Sequence, residues 1–69
     1  MTDYDKIAAG FAIFAHYQEP AERRIEIDMS EIYAGPDPSI VSGAHLSTLA
    51  DLGWQRLDEF KQFVFAEVF

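Results

Sequence analysis

The chain has 69 residues, 49% of them hydrophobic and 25% charged, with 12 acids against 5 bases and a net charge of −7. That composition suits a single small acidic domain over residues 1–69 and excludes a two-domain enzyme and a basic nucleic-acid reader. With no cysteine, disulfide frameworks and thiolate metal sites are excluded as well.

The first element in chain order is a helix over Thr2 to Gln18. Thr2 caps it, Asp5 three residues on completes a capping box, and Asp3 suits the positive helix end. Tyr4, Ile7, Ala8, Phe11, Phe14 and Ala15 follow helical spacing, with Ile13 and Tyr17 as a second seam. Gly10, among Ala8, Ala9 and Ala12, leaves room for another backbone to approach, and Pro20 marks the end.

Arg23 to Met29 alternates, with Ile25, Ile27 and Met29 on one side and Arg24, Glu26 and Asp28 on the other. This predicts a half-buried strand, extended or followed by Ile32-Tyr33. Ala34 to Ser39, with two prolines, a glycine and an aspartate, is a rigid loop. Ser42 then caps a short helix through Leu52, buried by Leu46, Leu49, Ala50 and Leu52 and closed by Gly53 in the left-handed region.

Trp54 to Phe69 fits two descriptions. Leu57, Phe60, Val64 and Val68 sit at helical spacing, but Phe63-Val64-Phe65 and Val68-Phe69 are aromatic and β-branched. The favoured reading is a hairpin, Trp54–Asp58 pairing with Gln62–Val68 across Glu59-Phe60-Lys61, the second strand apolar on both faces as a central strand is. The expected fold class is α+β, in the order α-β-α-β-β, with a three-stranded antiparallel sheet and two helices.

A domain of this size buries only about 60% of the surface its unfolded chain exposes. Six Phe, three Tyr and Trp54 compensate, each ring burying roughly 150–250 Å² in the core or against another chain. The longest apolar run, Ile7 to Ala15, is too short to span a bilayer, and the residues before it are net acidic rather than basic. A cytoplasmic protein that touches no membrane is expected.

Chemistry-bearing patterns are sparse. His16 and His45 lie on different helices without a metal-binding spacing; His16 suits a helix C-terminus and His45 an exposed first turn. Ser39, Ser42 and Ser47 lack the partners of a nucleophile, and the glycines form no phosphate cradle. No catalytic residue, metal or cofactor is expected.

Charge carries the remaining signal. Between Glu19 and Asp37 there are six acids and two bases, Arg23 and Arg24. Glu26 and Asp28 point the same way about 6.6–6.8 Å apart along a strand, which matches every second phosphate of a DNA strand at roughly 3.4 Å each. Such a row is either a solvated acidic surface or a face that attracts a basic groove, and it repels nucleic acid itself. The expected partner-binding residues are Glu22, Glu26, Asp28, Glu31 and Asp37, with Asp58, Glu59 and Glu67 extending the field.

The run Ile32-Tyr33-Ala34-Gly35-Pro36, Ser42 opening a short helix, Leu52-Gly53-Trp54 and an aromatic final strand resembles small phage and prophage proteins over about residues 32–69. In size, acidity and lack of a catalytic constellation the chain is similar to the anti-CRISPR class. Where those relatives place acids after the helix cap, this chain has Gly43-Ala44. The resemblance implies a non-catalytic inhibitor in a bacterial host's cytoplasm, a monomer or homodimer that blocks a basic nucleic-acid-binding site on a Cas surveillance complex. The alternative expectation is a homo-oligomeric structural or regulatory phage protein with a self-interface of Phe60, Phe63, Phe65 and Phe69.

Overall fold

Thr2 starts the first helix as its sequence demands: its hydroxyl accepts from the Asp5 amide at 3.2 Å while Asp5 accepts from the Thr2 amide. In the computed structural model, which describes residues 2–66, helix α1 spans Asp3–Phe14 rather than reaching Gln18. Its last turn tightens, with the His16 and Tyr17 amides bonding three residues back to Ile13 and Phe14. Arg23 then closes the end, donating to the carbonyls of Gln18 at 3.0 Å and Ala15 at 3.4 Å.

Arg23 is therefore no strand residue, and β1 covers only Ile25–Asp28. Met29, expected on the strand's apolar side, sits at φ 54° in a two-residue turn with Ser30. The turn sends the chain straight back as β2, Glu31–Ala34, which is a strand in its own right. The α+β class with two helices holds, but the sheet has four antiparallel strands instead of three.

A short 3-10 turn at Pro38–Ile40 leads to helix α2, Gly43–Leu52, with Ser42 accepting from the His45 amide and Gly53 at φ 99°. Leu49 and Leu52 are buried by this helix, whereas Ala50 is exposed. Strands β3, Trp54–Leu57, and β4, Gln62–Phe65, form the expected hairpin, turned by Asp58–Phe60 and a left-handed Lys61. Asp58 thus belongs to the turn. Val68 lies outside the described residues.

The strand order is β1-β2-β4-β3. On the face toward the helices, Ile32 and Ala34 of β2, Trp54 of β3, and Phe63 and Phe65 of β4 meet Phe14, Val41, Leu49 and Leu52. Phe14 anchors the ring cluster, edge-on to Trp54 at 5.0 Å and stacked on Phe63 at 5.2 Å between centroids. No β1 residue joins this core. Ile25 and Ile27 are 54% and 62% exposed, so the expected half-buried strand is an edge strand open on both sides. The close approach at Gly10 also differs from expectation: the neighbour is the Trp54 indole, not a backbone.

Candidate partner-binding face

The side-chain arrangement follows from the hairpin register. Ile25 opposes Ala34 and Ile27 opposes Ile32, so both isoleucines point toward the helix side of the sheet. Glu26 opposes Tyr33 and Asp28 opposes Glu31, which places all four on the other side. The Tyr33 hydroxyl donates to Glu31 Oε1 at 2.8 Å. That bond raises the Tyr33 pKa above the ordinary tyrosine value, helped by burial and by the negative charges of Glu31 and Asp28. The outer face of the hairpin is therefore a coherent negative surface: Glu26, Asp28 and Glu31 around one tyrosine.

The two other acids expected there are elsewhere. Glu22 turns inward on its own 3-10 turn, Pro20–Glu22, accepting from the Glu19 amide at 2.9 Å. Asp37 lies past the far end of β2 and caps the Pro38–Ile40 turn, accepting from the Ser39 amide at 2.9 Å. Its pKa is held below the ordinary aspartate value by the Ser39 backbone bond first, then by the Ser39 side chain, with Lys61 and Arg56 adding to it against a desolvation penalty. Asp58 pairs with Arg56 at 2.9 Å, Glu59 shares its turn, and Glu67 lies outside the described residues.

Among the described residues no ion pair involves Glu26, Asp28 or Glu31. The one ion pair there is Arg56–Asp58, and Arg23 spends its guanidinium on the end of α1. The expected aromatic self-interface loses two of its members, because Phe63 and Phe65 are core residues at 1% and 5% exposure. Phe60 is exposed, and Phe69 lies outside the described residues.

A second cluster was not anticipated. His16 and His45, expected apart, stack with centroids 5.6 Å apart at the junction of the two helices. Tyr17 joins them, its hydroxyl bonding His45 Nδ1 and accepting from the Ser42 amide at 3.1 Å. The Ser42 hydroxyl is occupied as the helix cap. Only the serine's capping role is visible in local sequence; pairing across 25 or more positions leaves no spacing signal. Chemically the cluster straps the end of α1 to the start of α2. Among the described residues no three His, Asp or Glu side chains converge in a way that could hold a metal ion, and no helix is long and apolar enough to cross a membrane.

Compared with protein-family models, curated proteins and solved structures, the chain has no match.

Proposed function

We propose that this protein is a non-catalytic inhibitor that presents Glu26, Asp28 and Glu31 to a basic nucleic-acid-binding surface. The observation that carries the reading is the gathering of these three carboxylates on one side of the β1–β2 hairpin, with no described cation paired to them. Carboxylates on alternate strand positions present lysines and arginines with charge at phosphate-like intervals. Long-range attraction then speeds encounter with a basic groove, and occupation of the groove excludes nucleic acid.

The resemblance to the anti-CRISPR class narrows the partner to a Cas surveillance complex. Of the five acids expected at the contact, Glu26, Asp28 and Glu31 form the face; Glu22 and Asp37 are assigned to capping.

The test is a target-DNA binding assay on reconstituted surveillance complexes of different CRISPR types, with the protein added at stoichiometric amounts. The reading expects one complex to lose DNA binding, with inhibition weakening steeply as salt rises. Inhibition of none, or inhibition insensitive to salt, contradicts it.

A further inference from the structure

The acidic face occupies only one side of β1, and the rest of the strand is also unoccupied. β1 is an outer strand, and no described segment pairs with its free edge. Its two-residue turn makes Asp28 and Glu31 the closing hydrogen-bonded pair, so Glu26 and Asp28 direct their backbone groups at β2. By alternation, the backbone amides and carbonyls of Ile25 and Ile27 face the open edge. Their side chains, over half exposed, lie on the helix side. Beside Ile25 a groove of about 270 Å³ opens between β1 and the end of α1, floored by Phe11, Phe14 and Ala34. Arg23 and Arg24 flank it, so it accepts the aliphatic and not the basic positions of an added strand. An exposed, unpaired edge with aliphatic side chains is ordinarily blunted in native proteins.

We propose, resting on the reading above, that β1 is a strand-addition site for an extended segment of the basic partner in which lysine or arginine alternates with aliphatic residues. The added strand takes the backbone bonds offered by Ile25 and Ile27. Side-chain alternation then sorts its residues by face. Its aliphatic positions fall beside Ile25, Ile27 and the groove, while its basic positions fall opposite Glu26 and Asp28. Arg24, one position before the strand, limits the basic stretch to those two places. The other outer strand, β3, offers no such combination, since Trp54 is buried and Arg56 is paired with Asp58.

Charge also favours a basic strand over a second copy in the registers that pair most of β1. In a second copy pairing antiparallel, matching Ile25 with the partner's Ile27 sets Glu26 against the partner's Glu26. Matching the two copies at Ile27 sets Glu26 against the partner's Asp28. Both registers oppose like charges directly, although the first also sets Arg24 against the partner's Asp28. A third, matched at Ile25, sets Glu26 against the partner's Arg24 but pairs Ile25 alone within the strand. A basic strand opposes no like charge to Glu26 or Asp28 in any register.

The experiment uses the full chain and two capped peptides of identical composition, one alternating lysine and valine and one with the lysines and valines in separate blocks. The alternating peptide is expected to bind more tightly and to protect the Ile25 and Ile27 amides from hydrogen exchange. Ile27→Pro removes an outward amide at a position where an edge strand tolerates proline, and should weaken this binding about tenfold or more. Ile27→Lys keeps the amide but places a cation at the edge, and should weaken it as well; circular dichroism verifies that both variants fold. Equal binding of both peptides, unaffected by either variant, overturns strand addition and leaves the acidic-face reading standing. Binding of neither peptide overturns both. A dimer of the free protein that Ile27→Pro dissolves assigns the edge to a second copy and overturns the proposal.

Discussion

Gly10 and Trp54 are a matched pair. The indole crosses α1 at the glycine, donating from Nε1 to the Lys6 carbonyl at 3.2 Å. A Cβ on Gly10 would stand 2.6 Å from Trp54 Cε2 and 2.8 Å from Cδ1, inside van der Waals contact with a ring that is 2% exposed. Gly10→Ala gains about 1 kcal/mol of helix propensity but must push the central ring of the core aside. The expected outcome is a net loss of about 1–3 kcal/mol in urea unfolding, with Trp54 fluorescence altered in the folded state.

The strap between the helices makes a milder prediction. Tyr17→Phe keeps the ring edge-on to His45 but deletes the hydroxyl that bonds His45 Nδ1 and receives the Ser42 amide. A loss of about 1 kcal/mol is expected by denaturant titration. Inhibition of the partner should be unchanged, because the Tyr17 hydroxyl is directed at Ser42 and His45 and its side chain does not line the groove beside Ile25.

The exposed edge separates stability from function. Leu49 is fully buried and contributes to the core, so Leu49→Ala should cost about 2–5 kcal/mol. Ile27 is 62% exposed and lies at the margin of that cluster, opposite Ile32, so Ile27→Ala should cost under about 1 kcal/mol. A comparable loss at the two positions, measured by urea unfolding, would mean that β1 is packed under the helices after all.

These contrasts explain what the sequence makes legible. Helix α2 is readable from end to end because Ser42, the leucine spacing and Gly53 are all local signals. The start of α1 is equally readable, but its end is fixed by Arg23, which bonds carbonyls five and eight residues upstream. The β1–β2 turn is hidden because Met29-Ser30 lacks the glycine or asparagine that such turns favour, so two strands look like one. Alternation places Glu26 and Asp28 on a common side, whereas Glu31 joins them only through the register that the turn imposes. Glu22 and Asp37 carry local capping signatures, a glutamate three residues after Glu19 and an aspartate ahead of Pro38-Ser39, and these bonds decide their places. The approach of His16 to His45 depends on how the helices pack, which no local pattern encodes.

Two titrations probe the two groups of acids. Asp37 has a lowered pKa in the fold, so its stabilising contribution is present above the ordinary aspartate value and lost as pH falls through the folded one. Asp37→Asn should flatten the fall in stability below about pH 4, read by denaturation across acid pH. Tyr33 is shifted the other way: its contribution is present below the ordinary tyrosine value and lost as pH rises through the raised one. Glu31→Gln removes the largest cause of that shift and should bring Tyr33 ionisation to lower pH in a tyrosinate absorbance titration. An unmoved titration would contradict the Tyr33–Glu31 contact.

The central claim is that position, and not net charge alone, makes the hairpin face the binding surface. The most direct measurement compares two double variants in the target-DNA competition assay. Glu26→Lys with Asp28→Lys reverses the face; Asp51→Lys with Glu59→Lys makes the same change in net charge at exposed positions elsewhere. The account predicts a loss of inhibition of about tenfold or more for the first pair and little change for the second. Equal losses for both pairs would contradict it.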